Sequence, residues 1–215
     1  MEGYVEKTFW IDPYQKSLVT KVVDILDNQC LFEKTIAYSF SDGQESDRGY
    51  INNLPILESR VEENIIYYTL FYDHGLLPGD EVLMTIDWPR RYSLMRLRFA
   101  AELILEIVRQ KFYLEKVGIH VAENKGWIDF IYPNDISLLF DTILETYNGI
   151  VLGDYTIQSG FSNEFNHSRF WKIDQFREVL SGGAYLKSTK EAGFVSLKSA
   201  RSGRTIERIE IRLID

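Results

Sequence analysis

The chain has 215 residues, a formal net charge of -8 and 45% hydrophobic residues. That length suits one large domain or two small ones, and the apolar content excludes an intrinsically disordered chain. Because Cys30 is the only cysteine, a small disulfide scaffold is also excluded, and a reducing, cytoplasmic setting is expected.

The first 88 residues are predicted to form mainly strands and turns. Segments 18–26 and 30–38 flank Asp27-Asn28-Gln29 and predict a β-hairpin. Segments 65–72 and 81–86 are rich in β-branched and aromatic residues, and a turn containing Gly and Pro separates them. A small β-barrel or sandwich fits this pattern best.

The most strongly periodic segment runs from residue 90 to about residue 112 and contains neither Gly nor Pro. Its apolar residues recur at spacings of three and four, as is typical of one buried helix face. They are Leu94, Leu97, Ala101, Leu105 and Val108. A long helix is therefore predicted at the start of the second half.

After this helix the chain alternates between predicted strands and one further helix. The further helix is predicted over 136–147, where either Asn134 or Asp135 could cap its N-terminus. The strands are predicted at 118–122, 127–132, 170–173, 194–197 and 205–213. We therefore predict an α+β protein with two lobes: a β-rich, barrel-like lobe at residues 1–88, and an α+β lobe with one long helix at residues 89–215.

Charge is divided unevenly between the two predicted lobes. Residues 1–88 carry 6 Lys+Arg and 16 Asp+Glu, a balance of -10, whereas residues 89–215 carry 18 and 16, a balance of +2. If a polyanion binds, we expect it to contact the second lobe. The N-terminus lacks the basic and apolar regions of a signal peptide, and no apolar run approaches the ~20 residues that span a bilayer. Neither a standard export signal nor a membrane partner is expected.

Four segments, in order along nearly the whole chain, resemble the alanyl-tRNA editing family. They are residues 8–14 (TFWIDPY), 35–49 (TIAYSFSDGQESDRG), 87–96 (beginning DWPRR) and 181–193 (SGGAYLKSTKEAG). The second resembles the family's T-x-F-Y-P…G-G-Q-x-x-D-x-G loop. The family comprises the free-standing AlaX proteins and the editing domain of alanyl-tRNA synthetase. The resemblance implies that fold, and hydrolysis of the ester that joins serine or glycine to the alanine tRNA.

The family's zinc site is replaced at all four ligand positions. The family binds zinc with an H-x-x-x-H pair on the helix and a C-x-x-x-H pair near the C-terminus. By resemblance these positions fall on Arg98 and Glu102, and on Ser181 and Tyr185. An Arg is permanently protonated, and neutral hydroxyl groups are poor zinc ligands. The remaining histidines, His74, His120 and His167, have no ligand spacing. We therefore expect no zinc, no other metal and no cofactor.

Two readings of the replaced site stay open. Arg98 and Glu102 could form an ordinary ion pair on the helix surface. Alternatively, Arg98 takes the place of the metal and receives a carbonyl or phosphate oxygen, while Glu102 acts as a base toward water. In that case Arg98, Glu102 and Thr35 would surround the ester as catalytic residues. Ser181 as a covalent nucleophile is less favoured, because no nearby histidine is identifiable to activate it.

The resemblance also implies a set of substrate-binding residues. Thr35, Gln44 and Asp47 match the loop that lines the amino-acid pocket, and a hydroxyl there can discriminate serine from alanine. With Ser181 and Tyr185, Gln44 and Asp47 are the predicted substrate-binding residues. The first loop glycine is here Asp42, and residues 41–43 could equally be a plain turn.

Basic residues suggest a contact with RNA. Several arginines lie near the start of the long helix, and basic residues outnumber acidic ones toward the C-terminus. The residues are Arg90, Arg91, Arg96 and Arg98, and then Lys187, Lys190, Lys198, Arg201, Arg204, Arg208 and Arg212. Such side chains suit an acceptor-stem backbone and an unpaired RNA end, although a solvated face of mixed charge would look the same. Arg90, Arg91, Lys187 and Lys190 are the predicted RNA-binding residues, and DNA is not an expected partner.

Three functions follow from these observations. The chain is predicted to be a divergent, zinc-free member that binds an aminoacyl-tRNA or a related aminoacyl ligand. It could instead be a metal-independent deacylase of mischarged Ser- or Gly-tRNA(Ala), or a non-catalytic interaction protein with an inert former site. An open, polar pocket favours the first two, whereas a pocket filled by Tyr185 favours the third.

Overall fold

The computed structural model describes residues 5–164, 168–174, 176–201, 203 and 205–214, so His167 and Arg204 lie outside the described residues. Contacts divide the chain into a first unit, residues 1–41 and 45–92, and a second unit, residues 42–44 and 93–215. Whether each is a domain, as the division after residue 88 predicts, stays a prediction.

The first unit is built from short antiparallel strands. Its described residues form β1 (Glu6–Lys7), β2 (Ser17–Leu26), β3 (Gln29–Phe32), β4 (Lys34–Thr35), β5 (Gly49–Ile51), β6 (Leu54–Pro55), β7 (Glu58–Glu62), β8 (Ile65–Thr69) and β9 (Glu81–Ile86). Seven of them form one curled sheet in the order β6-β5-β9-β2-β3-β8-β7, and β1 pairs with β4 in parallel. A 3-10 turn, Thr8–Trp10, follows β1. The predicted barrel-like lobe is confirmed.

Two tight hairpins in this sheet were not predicted from the sequence. Asn52 and Asn53 join β5 to β6, and Glu63 and Asn64 join β7 to β8, all four with positive φ. Such left-handed residue pairs match the right-handed twist of paired strands. Neither pair contains the Gly that usually marks this turn, so the sequence pattern did not reveal it. The predicted strand 30–38 also stops at Phe32 and resumes only as β4.

The curled sheet encloses the core of the first unit. Side chains that alternate along β2, β5, β8 and β9 point inward, as the two-residue period of a strand dictates. The fully buried ones include Ile51, Ile66, Tyr68 and Met84, and Phe32 of β3 is buried with them. Removing this apolar surface from water is the main force that closes the sheet.

The second unit contains most of the long helix, a second helix and two antiparallel sheets. Helix α1 is Trp88–Phe112, of which residues 93–112 belong to this unit, and α2 is Phe140–Leu152. The described strands are β10 (Glu115–Val121), β11 (Gly126–Ile131), β12 (Gln158–Phe161), β13 (Arg169–Lys172), β14 (Val179–Leu180), β15 (Phe194–Arg201) and β16 (Ile206–Ile214). The sheet orders are β10-β11-β16-β15 and β12-β13-β14. This confirms the predicted α+β class.

Helix α1 is buried on nearly every side rather than along one stripe. Leu94, Leu97, Ala101 and Val108 are fully buried as predicted, but so are residues between them such as Phe99. A helix that is enclosed all round forces any polar side chain it carries to find partners inside the protein. No helix of the described part is long and apolar enough to cross a membrane.

The predicted helix at 136–147 differs in its limits. A 3-10 turn, Ile136–Leu139, precedes α2, and α2 continues to Leu152. Of the two predicted caps, the Asp135 carboxylate accepts from the Ser137 amide at 2.9 Å. The short loop Asp42–Gln44 lies beside β10, where the Val121 amide donates to the Gly43 carbonyl at 2.8 Å. Gly43 has φ +75°, and a Cβ there would lie 2.2 Å from the Ile119 carbonyl oxygen, so only glycine fits.

Candidate functional site

Three polar side chains of the second unit form a ring of hydrogen bonds. Arg98 and Glu102 lie one turn apart on α1, and Ser181 follows β14. Nε of Arg98 bonds to Oε1 of Glu102, and Nη2 of Arg98 donates to Oγ of Ser181 at 2.8 Å. The Ser181 hydroxyl donates to the same Glu102 oxygen. The predicted pairing of Arg98 with Glu102 is therefore present, but it lies inside the protein.

Burial distinguishes this ring from a surface ion pair. Arg98 is 3% exposed and Glu102 is 4% exposed. The second oxygen of Glu102 accepts from Nε1 of Trp171 at 2.6 Å, and Nη1 of Arg98 donates to the Asp42 carbonyl at 2.7 Å. Buried charges are tolerated when they are paired and hydrogen-bonded in this way. Trp171 was not predicted as a site residue, because nothing in its spacing connects it with Glu102.

Tyr185 lies against the ring as a neutral phenol. Burial, with the nearby Glu102 carboxylate as a smaller cause, raises the pKa of Tyr185 well above its usual value. Its hydroxyl accepts from the Gly183 amide at 3.3 Å. Tyr185 therefore keeps its proton across the physiological range.

A cavity of about 370 Å³ opens beside the ring. It combines polar side chains with apolar walls, as ligand pockets usually do. Its lining residues are Asp42, Arg98, Glu102, Leu105, Lys116, Ile119, Val179, Leu180 and Ser181. Tyr185 is not among them, so it does not fill this space. The volume is sufficient for an amino acid and part of the group to which it is esterified.

The four residues at the positions where the resemblance places the zinc ligands do not fit a zinc ion. The one carboxylate, Glu102, already accepts from Arg98, Ser181 and Trp171. A guanidinium cation would stand in direct contact with the metal, and zinc prefers thiolate, imidazole or carboxylate ligands. Within the residues that the structure describes, no group of three or more His, Cys, Asp or Glu side chains could hold a metal ion.

Gln44, a predicted substrate-binding residue, belongs to the second unit and is fully buried. Neither its amide nitrogen nor its amide oxygen has a hydrogen-bond partner among the described residues. An unpartnered buried amide is costly, and such groups are rare in folded proteins. A ligand-binding role for Gln44 stays a prediction, and this unused hydrogen-bonding capacity is compatible with it.

Thr35 and Asp47 lie in the first unit, where their side chains are already bonded to other residues of the protein. The Thr35 hydroxyl accepts from the Ala37 amide at 3.0 Å and bonds to the Tyr68 hydroxyl at 2.6 Å. Asp47 forms an ion pair with Arg91 and accepts from the Tyr38 amide at 2.6 Å. Their predicted roles toward a ligand stay predictions, and each would compete with these internal bonds.

Two of the predicted RNA-binding residues are also buried. All three guanidinium nitrogens of Arg91 bond within the first unit, to Asp47 and to the carbonyls of Pro13 and Ile36. Arg90, 6% exposed, donates to Glu45 at 2.8 Å. RNA binding by these two arginines stays a prediction and would require these bonds to break.

Lys187 and Lys190, in contrast, are exposed. They lie at a 3-10 turn, Thr189–Ala192, whose start is closed by a capping box between Ser188 and Glu191. That reciprocal pair of hydrogen bonds fixes the turn and therefore the backbone positions of both lysines. Their predicted contact with RNA also stays a prediction.

The neutral Tyr185 has a testable consequence for alkaline stability. The unfolded phenol loses its proton above about pH 10, whereas the folded one, with its raised pKa, retains it. The stability that this difference contributes is therefore present in full below about pH 10 and is lost as pH rises toward the folded pKa. In Tyr185→Phe we expect a loss of about 1 kcal/mol at pH 8 from the missing hydrogen bond to the Gly183 amide.

Above about pH 10 the unfolding free energy of the same variant should fall less steeply with pH than that of wild type. The two slopes should differ by about 1.4 kcal/mol per pH unit. Urea unfolding from about pH 8 to about pH 11 measures both effects. Tyr68 and Tyr147 are also buried with raised pKa values, and they remain in both proteins as an internal control. Equal slopes in the two proteins would contradict the assignment to Tyr185.

Comparison with known proteins gives the same family as the four motifs. No protein-family model matches the chain. The alanyl-tRNA editing protein AlaX-M of Pyrococcus horikoshii is 28% identical over 218 residues, covering 99% of this chain and 100% of that protein. AlaX-M of Saccharolobus solfataricus is 25% identical, covering 95% and 97% respectively.

A longer enzyme also matches. The alanine–tRNA ligase of Methanococcus aeolicus is 27% identical over 95% of this chain, but the alignment covers only 25% of the ligase. The alignments therefore cover the two AlaX-M proteins almost completely but only one part of the ligase. Full-length alignment and the four motifs in register lead to one conclusion: the chain is AlaX-like, similar along nearly its whole length to alanyl-tRNA editing proteins.

Proposed function

We propose that this chain is a zinc-free AlaX-like protein that binds the aminoacyl end of a charged tRNA in the cavity beside Arg98, Glu102 and Ser181. The observation that carries the proposal is the buried guanidinium of Arg98, which lies at the helix position where the resemblance places a zinc-ligating imidazole. A fixed cation beside a cavity attracts a carbonyl or phosphate oxygen, as a metal would. A cytoplasmic location, where charged tRNA is found, is part of the proposal.

The hydrogen bonds of Glu102 support binding more than hydrolysis. A bound zinc ion would lower the pKa of a water molecule to near neutrality, and an arginine does not do this. A carboxylate acting as a base toward water needs a free oxygen, but those of Glu102 accept from Arg98, Ser181 and Trp171. The cavity also favours a ligand-binding role over an inert former site, because Tyr185 is absent from its lining.

One observation favours metal-independent deacylation as a second candidate. The Ser181 hydroxyl lines the cavity and donates to Glu102, which is the geometry of a nucleophile beside its base. In this reaction Ser181 Oγ attacks the ester carbonyl, and its proton passes to Glu102. The tRNA ribose oxygen leaves and takes up that proton, and water then hydrolyses the acyl-serine. Glu102 would then serve as the base, in place of the histidine that commonly activates a serine nucleophile.

The test is a time course with the full chain and Ser-tRNA(Ala), with and without EDTA, together with filter binding of the same tRNA. We expect EDTA-resistant binding and no hydrolysis above the buffer rate. EDTA-sensitive turnover would contradict the zinc-free assignment, and failure to bind charged tRNA would contradict the proposal as a whole. EDTA-resistant turnover with an acyl adduct on Ser181, detected by mass spectrometry, would establish the second candidate instead.

A further inference from the structure

One face of the four-stranded sheet in the second unit is open to solvent. Alternate residues of β10, β11, β16 and β15 point away from the buried side, which carries Val121, Ile128, Ile209 and Val195. The register aligns the outward residues in rows across the strands. One row is His120, Trp127, Glu210 and Lys198, the next contains Asp129, Arg208 and Ala200, and a third pairs Arg212 with Ser196.

The charges on this face do not cancel. Asp129 accepts from both Nε and Nη2 of Arg208, at 2.7 and 2.8 Å, and Glu210 pairs with Lys125 at 3.7 Å. Lys198 and Arg212 are exposed, and neither has an acidic partner within the described part of the chain. We call Lys125, Lys198, Arg208 and Arg212 the basic face. It has two more cations than carboxylates, although the whole chain has a net charge of -8.

The basic face also carries a rigid aromatic group. The rings of Trp127 and His120 are stacked with centroids 4.2 Å apart, and the Arg208 guanidinium lies 5.0 Å from the Trp127 ring. Lys198 and Arg212 are diagonal neighbours on adjacent strands, which places the two residues about 7–8 Å apart. Cations spread along a sheet beside planar side chains suit a phosphate backbone and its bases better than an acidic peptide.

We propose that the basic face carries the phosphate contacts that hold tRNA to this protein. The inference rests on the proposed function, which makes tRNA the partner. It selects Lys198, Arg208 and Arg212 from the wider set of C-terminal basic residues, in place of the predicted RNA-binding residues Arg90, Arg91, Lys187 and Lys190. Arg90 and Arg91 are buried in hydrogen bonds of the first unit. Lys198 and Arg212 are exposed and unpaired within the described part of the chain, so they can neutralise phosphates and release the bound counterions.

The experiment measures the affinity of uncharged tRNA(Ala) for the full chain by fluorescence anisotropy, from about 50 to about 200 mM salt. The test variant is Lys198→Ala with Arg212→Ala. The matched control is Lys21→Ala with Lys111→Ala, which removes the same charge from exposed lysines on β2 and at the end of α1. Thermal unfolding verifies that all three proteins fold alike.

We expect the test variant to bind tRNA more weakly and to reduce the slope of log K against log salt by about 2, while the control keeps the slope of wild type. An unchanged slope in the test variant, or an equal loss in the control, would overturn the proposal. The proposed function is tested separately with a small ligand, seryl-adenosine. Binding of that ligand by wild type and by both variants would support the cavity assignment, so failure of either idea is recognisable by itself.

Discussion

Replacement of Asp47 by Ala is expected to destabilise the protein by about 3–5 kcal/mol, because it leaves the Arg91 guanidinium buried without its counterion. Both side chains are 0% exposed, and they form an ion pair inside the first unit. The variant also removes the acceptor of the Tyr38 amide. Unfolding in urea should show a lower midpoint concentration. The dependence of the unfolding free energy on urea concentration should be unchanged.

Two further variants separate the charge from the rest of this effect. Asp47→Leu combined with Arg91→Met removes both charges, and its stability should lie much closer to wild type than that of Asp47→Ala. Glu6→Gln breaks the exposed pair with Lys34 and should leave the midpoint unchanged. If Asp47→Ala lowered the free energy of unfolding no more than Glu6→Gln does, the buried pair would not have the structural role that we assign to it.

Simultaneous replacement of Arg98 by Met and Glu102 by Gln should remove ligand binding while keeping the fold. Removing Arg98 alone leaves a buried carboxylate unpaired, at a cost of about 3–5 kcal/mol, whereas removing both charges of a buried pair is often neutral or stabilising. In Glu102→Gln the neutral amide oxygen would still accept from Trp171. We therefore expect a midpoint close to wild type for the double variant and a much lower one for Arg98→Met.

The effect on the ligand should be large in the same double variant. Loss of a charge-assisted hydrogen bond to a carbonyl or phosphate oxygen is worth about 1.5–3 kcal/mol, or about 10- to 150-fold in the affinity for seryl-adenosine. Leu105→Ala, which trims an apolar wall of the same cavity, is the control for cavity shape and should weaken binding far less. If the double variant bound the ligand as well as wild type, the ring would be an inert structural cluster.

Local patterns were sufficient for much of the fold. The periodic residues Leu94, Leu97, Ala101 and Val108 predicted α1 because an uninterrupted helical repeat requires no knowledge of its neighbours. Strand β9 was predicted with its observed limits, because the segment is rich in β-branched residues and follows a turn that contains Gly and Pro. The hairpins at Asn52 and Glu63 were missed, because their left-handed pairs depend on strand twist and not on glycine.

In the candidate site too, local sequence patterns predicted some features and missed others. Spacing and resemblance identified Arg98, Glu102, Ser181 and Tyr185, which the structure brings together. They did not reveal that α1 is enclosed on nearly all sides, which converts a weak surface pair into a buried ring with Trp171. Burial depends on what packs against a residue from distant segments, and no local spacing encodes it.

The sequence by itself determined the AlaX-like resemblance, the α+β class and the long helix, because each of these depends on residue identity and on order along the chain. Only the tertiary structure decided which charges are paired and which are exposed. It buries Arg91 against Asp47, and it places Lys198 beside Arg212 on an open sheet face. The physical reason is that charge interactions depend on separation in space and on burial, which chain folding sets.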